Sequence, residues 1–312
     1  MTSHDVSGLT VVIMGASSGL GRGTAIALAE RGANVVVAAR RADVLDRLVA
    51  DIESAGGRAI AVTADVASLA DVQAVAARAV EVFGHIDVWI NGVGIGAIGR
   101  FWDVPPEDHA RVVAVNLTGL MHGSHVALRH FLDRRAGVLL NIGSVESKVP
   151  LAYQSSYAAT KAGVLSLSRS LNEELRLAGA SRTVRVGTVL PWAVDTTWWM
   201  HAANYTGRKA RMLAMDDPAP VVEAIVAACT RPGEAQSAGW KARAASVSHR
   251  IMPRITDRVS AEIFHHELIT AGSTAKTAGA IHRPVPEGTT VAGGVRRRTR
   301  KTRRGRDRDE VR

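Results

Sequence analysis

Leu9-Thr-Val-Val-Ile-Met-Gly-Ala-Ser-Ser-Gly-Leu-Gly21 decides how the rest of the chain is read. Its first six residues form a short, nearly unbroken apolar run, the pattern of a strand covered on both faces. Gly15, Gly19 and Gly21, with Ser17, Ser18 and Leu20 between them, predict a turn, and Thr24 to Arg31 repeats apolar residues at helical spacing. Strand, glycine turn and helix together make a phosphate-binding unit. The glycines let the backbone approach a pyrophosphate, and the helix start offers it free N–H groups and a positive dipole end. The spacing is Gly-x-x-x-Gly-x-Gly, not the Gly-x-Gly-x-x-Gly of many dinucleotide folds. A glycine-rich turn without a ligand is the plain alternative; the strand before it and the helix after it favour the ligand.

Residues 34–39 predict the second strand, and Arg40-Arg41 follows it. A carboxylate at this strand end accepts from the 2′-hydroxyl of NAD, whereas arginine accommodates the 2′-phosphate of NADP. Ala39 followed by two arginines, with Arg22 near the turn, points to NADP(H). The competing reading makes Arg40 and Arg41 solvated helix-start residues. Helical patterns over 43–55 and 69–83 alternate with strand patterns over 58–64 and 86–90. Asp65-Val66 ends the third strand, where a carboxylate can accept from an adenine amino group. Asn91-Gly-Val-Gly94 ends the fourth, and its glycines let a cofactor pass close to the backbone, which adds Asn91, Gly92 and Val93 to the candidate contacts. One or two helices are expected over 105–135 with Asn116 inside, a fifth strand over 138–142, a long helix over 155–178, and a sixth strand over 184–190 ending at Pro191, a further cofactor candidate. This alternation implies an α/β fold: a doubly wound, Rossmann-like parallel sheet with helices on both faces, plus a C-terminal extension.

The stretch from Ser144 to Lys161 carries the chemistry. Tyr157 and Lys161 are four residues apart, so a helix places both on one face. A phenol beside a fixed ammonium ion has its ionised form favoured, and its pKa is expected to fall from about 10 toward the working pH. Ser144, thirteen residues before Tyr157, follows an apolar run and so sits at the carboxyl end of a strand, where such sheets bind ligands. The three suit a site that adds a proton to an oxygen or removes one. Tyr-x-x-x-Lys alone is a common surface pair; the rest of the chain gives it weight. Trp192, Trp198, Trp199, Met200 and Tyr205 cluster after the sixth strand, as a lid or wall over an apolar substrate or, equally, as a packing or oligomer contact. Asp217 followed by Pro218 predicts a capped helix. His122, His125 and His130 lie close in one helix with no carboxylate among them, and no metal site is expected there or at His265-His266-Glu267.

The 312 residues suffice for one large α/β domain and a tail, with 46% apolar residues to fill a core. One domain is expected over 1–270, and a disordered, Arg-rich tail over 271–312. The net charge of +10 is mostly this tail: its last 17 residues carry ten Arg or Lys and three acids, a net of +7. Such a run suits polyanions or an anionic membrane surface, but without interleaved aromatics no specific nucleic-acid binding is expected. Cys229 is the single cysteine, in a helical pattern, which excludes an internal disulfide framework and fits a reducing compartment. The first residues show no signal-peptide pattern, and no apolar run approaches a membrane span, so a cytoplasmic protein is expected.

Taken in combination, Gly15-Ala-Ser-Ser-Gly-Leu-Gly21, Asp65-Val66, Asn91-Gly-Val-Gly94, Asn116, Ser144 and Tyr157-Ala-Ala-Thr-Lys161 resemble the short-chain dehydrogenase/reductase family from about Leu9 to Thr230. The resemblance implies an oxidoreductase that moves a hydride between a nicotinamide cofactor and an alcohol/carbonyl pair. It implies that Tyr157 is the general acid/base, that Lys161 lowers its pKa and holds the nicotinamide ribose, that Ser144 bonds the substrate oxygen, and that Asn116 holds a water in a proton relay. A homodimer or homotetramer is also implied. Two departures stand out: the family's Asn-Asn-Ala-Gly is Asn91-Gly-Val-Gly94, and its Pro-Gly after the sixth strand is Pro191-Trp192. A non-catalytic NADP(H)-binding regulator and a tail-driven binder of nucleic acid or membranes are the competing readings; the intact Asn116, Ser144, Tyr157 and Lys161 set argues against the first.

Overall fold

The computed structural model describes residues 5–295 apart from 211 and 213. In chain order these residues form β1 (Thr10–Met14), α1 (Gly19–Ala29), β2 (Asn34–Ala39), α2 (Ala42–Ser54), β3 (Arg58–Thr63), α3 (Leu69–Phe83), β4 (Val88–Asn91) and the two-residue β5 (Ala97–Ile98). Next come α4 (Pro106–Val113), α5 (Gly119–Arg134), β6 (Gly137–Ile142), α6 (Ser155–Leu177), β7 (Val184–Pro191), α7 (Trp198–His201) and β8 (Ala203–Asn204). The chain continues with α8 (Pro218–Ala228), β9 (Gln236–Ala238), α9 (Trp240–Ile251) and α10 (Pro253–Thr270).

Seven strands form one parallel sheet in the order β3-β2-β1-β4-β6-β7-β9. Each central strand is apolar throughout because both of its faces are covered. Alternate residues of β1 serve opposite cores: Val11 and Ile13 pack with Leu28, Leu45 and Ile225 under α1, α2 and α8, while Val12 and Met14 pack with Val72, Val75 and Phe131 under α3 and α5. Burying side chains of this size contributes about 1.5–3 kcal/mol each before entropy is counted. Asp217 caps α8 by accepting from the Ala219 N–H, as the Asp-Pro pair predicts. Cys229 is buried, and burial pushes its thiol up to about 12. His122 and His130 are tied to backbone, at Val66 O (3.1 Å) and the Ile86 N–H (3.0 Å). Among the described residues no helix is long and apolar enough to cross a membrane.

The doubly wound sheet is present as the strand and helix patterns imply, with β9 added at one edge. Three residues of mixed polarity gave β9 no readable period, and its pairing with β7 rests on backbone bonds. The larger difference is at the C-terminus. Disorder was expected from 271, but residues 271–295 lie against the domain as a strap. Ile281, fully buried, packs against Ala97, Val104, Val112 and Ala203. Isolated backbone pairs join Arg208 to Ser273, Asn204 to Thr277 and Thr196 to Ala292. A few apolar anchors and backbone bonds suffice here, and composition does not register them. The Arg-rich segment 296–312 lies outside the described residues.

Candidate active site

The chain winds outward from β1 to β3 and then restarts at β4 on the other side. The crevice at that reversal is where open α/β sheets bind ligands. A cavity of about 280 Å³ lies there, lined by the Gly15–Gly21 turn at one end and by Ser144, Tyr157, Lys161 and three tryptophans at the other.

The turn is shaped for close approach. Gly15 has φ +92°, and a Cβ on Gly21 would lie 2.2 Å from the Gly15 carbonyl oxygen. A side chain at Gly21 would therefore break the turn. Ser18 starts α1 without a side-chain cap, and the first turn of the helix lines the cleft. Ser17, Ser18, Gly19, Leu20, Arg40, Arg41, Asp65, Val66, Gly92, Val93 and Pro191 all line the same cavity. Glycine cradle, a helix start without a side-chain cap and two arginines suit a dinucleotide.

Asn91 does not line the cavity. Its amide accepts from the Trp89 indole N–H (2.9 Å) and donates to Asn141 (2.9 Å), Ser124 (3.2 Å) and the Leu120 carbonyl (3.3 Å), tying β4 to β6 and α5. Arg22 points away and pairs with Asp51 at 2.9 Å. Asp65 accepts from the Ala67 N–H and from Arg111; burial works against its charged form, but these bonds win and hold its carboxyl below the usual range. Arg40 and Arg41 both donate to carbonyls of the strap. Burial, the largest influence on each, pushes both guanidinium pKa values down.

At the other end, α6 places Tyr157 and Lys161 one turn apart, and β6 delivers Ser144. Lys161 donates to the Ile142 carbonyl (2.8 Å) and sits 5.6 Å from the centre of the Tyr157 ring. Asn116 lies in a single π turn at Ala114–Thr118, a distortion frequent at functional sites. It clamps Ile95 from both sides, accepting from its N–H (2.9 Å) and donating to its carbonyl (2.8 Å), and also donates to Thr160. Asn116 thus fixes the loop after β4 and stands behind the cavity wall.

The electrostatics depart from the sequence expectation. The Tyr157 pKa is raised: burial acts first, the Glu146 carboxyl adds to it, and the hydrogen bond with Ser144 only partly opposes them. The ammonium lies 5.6 Å from the ring centre, and burial has pushed Lys161 itself down to about 8 despite the attraction of Glu146. Burial pushes Glu146 up to about 8 against the pull of Lys161. Glu146 lies between Ser144 and Lys161, where spacing alone assigns it no role. A carboxylate between the serine and the tyrosine, in an apolar setting, was the signal available.

Trp192, Trp198 and Trp199 line the cavity, and Trp198 and Trp199 also pack against the cluster of Ile98, Leu151 and Phe264; Met200 is exposed, and Tyr205 turns away to Asp108. Trp198 packs on Tyr157 with ring centres 5.2 Å apart and over Gly96, where a Cβ would lie 2.5 Å from its indole. Glu146 Oε2 and the indole N–H groups of Trp192 and Trp198 are buried without a hydrogen-bond partner among the described residues.

The chain matches the short chain dehydrogenase family over residues 9–205. It is 38% identical over 209 residues to the 3beta-hydroxysteroid dehydrogenase 1 of Eggerthella lenta, spanning 66% of this chain and 78% of that protein. Among solved structures it is similar to a short chain dehydrogenase/reductase from Burkholderia phymatum in complex with NAD, with a TM-score of 0.72 and 26% identity over 81% of this chain and 96% of that one. A metagenomic short-chain oxidoreductase in complex with NADP gives a TM-score of 0.61 and 27% identity, covering 74% and 94%. The glycine turn, the Ser144–Tyr157–Lys161 wall and the match across most of the folded domain agree: the chain belongs to the short-chain dehydrogenase/reductase family of nicotinamide-dependent oxidoreductases.

Proposed function

We propose that this oxidoreductase transfers a hydride between NADP(H) and an alcohol/carbonyl pair on a bulky, largely apolar substrate, with Tyr157 as general acid/base. The observation that carries this reading is one cleft with arginines at one end and Tyr157, Ser144 and Lys161 at the other. The buried phenol holds its proton at neutral pH and would give it to the carbonyl oxygen of a bound substrate; in the oxidative direction the same oxygen would take it back. Ser144 would bond that oxygen and favour the charge developing on it. Lys161 would hold the nicotinamide ribose hydroxyls and balance the phenolate. Asn116 keeps the loop carrying Ile95 against this wall. When bound, the cofactor supplies or accepts the hydride.

Three tryptophans argue for an apolar body, and the unpartnered Glu146 Oε2 and two indole N–H groups argue for at least one further oxygen on it. The name of the Eggerthella relative supports a hydroxylated ring system as such a substrate. The test is a panel of hydroxysteroids, hydrophobic ketones and sugars with NADPH and with NADH, followed by absorbance. Turnover only of sugars, or only with NADH, would overturn the substrate or the cofactor reading respectively. The shallow groove between α5 and α6, lined by Met121, Leu128, Leu132, Leu167 and Leu171, supports pairing of two copies.

A second reading concerns an anionic membrane surface. Val247 and Ile251 at the end of α9, and Ile255, Val259 and Ile263 at four-residue spacing on α10, are exposed, as are Arg250, Arg254 and Arg258. This face suits negatively charged lipid headgroups. Salt-sensitive sedimentation with phosphatidylserine vesicles is the expected result, and none with phosphatidylcholine alone; no sedimentation with either would remove the reading.

A further inference from the structure

The strap follows the cleft along the positions assigned above to the cofactor. Arg40 donates to the carbonyls of Ala280 (2.8 Å), Ile281 (3.4 Å) and His282 (3.0 Å). Arg41 donates to those of Val285 and Glu287 (both 3.2 Å), and its other terminal nitrogen bonds the carbonyl and hydroxyl of Ser17. At the start of α1 the Gly19 N–H donates to the Thr290 carbonyl at 3.0 Å. Farther along, Ala292 pairs with Thr196 beside the tryptophans. The strap is anchored outside the cleft by buried Ile281 and by His282, whose Nε2 lies 2.7 Å from Asp108.

We propose that residues 280–293 are a built-in competitor for the cofactor site, holding the 2′-phosphate and pyrophosphate donors until NADP(H) displaces them. This inference rests on the NADP(H) reading. A guanidinium has five N–H donors; Arg41 commits both terminal nitrogens to carbonyl and hydroxyl oxygens, leaving only Nε for a phosphate. A bidentate clasp on a phosphate therefore requires the strap to let go. The strap offers these cations neutral carbonyls rather than carboxylates. A phosphate meets the guanidinium with full negative charge and bidentate geometry, whereas a carbonyl offers only a dipole, so displacement is feasible while the strap still weakens apparent affinity. The Gly19 bond obstructs any dinucleotide, whereas the arginine bonds obstruct chiefly the 2′-phosphate. Releasing the strap is thus expected to favour NADP+ more than NAD+.

The first experiment compares NADP+ and NAD+ dissociation constants, by calorimetric titration, for the full chain, a chain ending at Val295 and a chain ending at Ala271. The chain ending at Val295 is expected to match the full chain. The one ending at Ala271 should bind NADP+ about tenfold tighter or more, with a smaller gain for NAD+. Equal or weaker NADP+ binding after removal would make the strap inert or part of the site and overturn the proposal. Because Ile281 leaves with the strap, a full-length variant guards against loss of folding. A Cβ at Gly293 would lie 2.5 Å from the Thr196 carbonyl oxygen, so Gly293→Ala pries the strap off and should tighten NADP+ binding several-fold; no change would count against the proposal. The second experiment is cleavage after exposed Glu287 by a glutamate-specific protease. Saturating NADP+ should speed this cut. Protection instead would mean the strap closes over bound cofactor, which contradicts competition. Absence of any dinucleotide binding, in every form of the chain, would remove the NADP(H) reading and the competition with it, whereas equal binding with and without the strap removes the competition alone.

Discussion

The two ends of the cleft are held by different kinds of structure. At the phenol end, Tyr157 and Lys161 ride on a 23-residue helix, and Lys161 and Asn116 are bonded to main chain at Ile142 and Ile95. At the arginine end, Arg40 and Arg41 sit at the junction of β2 and α2 and are held by irregular backbone from residues 280–287. Groups that handle a proton need fixed geometry, which rigid elements supply. Groups that grip a charged ligand can be held by a segment that exchanges with it, because few buried apolar contacts are lost when it opens.

The largest effect expected separates the two ends. Tyr157→Phe keeps the ring packed on Trp198 and removes only the hydroxyl. Turnover should fall by about 10²–10⁴-fold, the usual contribution of a positioned acid/base, while the NADPH dissociation constant stays within about twofold. Near-normal turnover on any substrate would remove Tyr157 from the mechanism. Joint replacement of Arg40 and Arg41 by Ala addresses the other end and should leave the catalytic step intact. NADP+ affinity relative to NAD+ should fall by about 10–100-fold, as loss of charge-assisted bonds to a phosphate dictates. Absolute NAD+ affinity should hold or improve, because the same change frees the strap. A proportionate loss for both cofactors would show the arginines act through the fold. Removal of residues 296–312 should leave kcat and KM unchanged; a large fall would place the tail at the site.

The same contrast explains what the sequence could tell. β1 and β2 were readable because strands buried on both faces need continuous apolar residues, and Gly15, Gly19 and Gly21 because only glycine permits that turn. Tyr157 and Lys161 were readable because helical spacing is rigid. Asn91 was placed at the cofactor by its neighbours in sequence, but an amide in β4 can turn to either face, and this one turns into the sheet–helix interface. The Tyr157 shift runs opposite to the expectation because spacing along a helix does not say how deeply the phenol is buried, nor that Glu146 lies near. The strap left no periodic trace, since its arginine contacts use its own carbonyls and those bonds are blind to side-chain identity.

Glu146 gives the most diagnostic effect, because it tests whether the phenol end is as fixed as its bonding implies. Its carboxyl is raised from an ordinary 4.5 to about 8, with burial as the main cause. The folded protein therefore keeps this proton after the unfolded chain has released it. The stability associated with the neutral carboxyl is fully present below pH 4.5 and is lost as pH rises toward 8. The slope in that window is at most about 1.4 kcal/mol per pH unit, and less to the extent that solvent enters the cleft. Glu146→Gln removes the titration, so its melting temperature should vary less than that of the parent between those limits. The same change removes the carboxylate that supports the Lys161 ammonium, whose pKa, already down to about 8, should fall further. The alkaline limb of kcat/KM should then move to lower pH by about one unit. A variant with an unshifted alkaline limb and an unchanged stability slope would mean that Glu146 is ionised and solvated throughout, and that the phenol end is open to water rather than sealed by Trp198 and the loop that Asn116 holds.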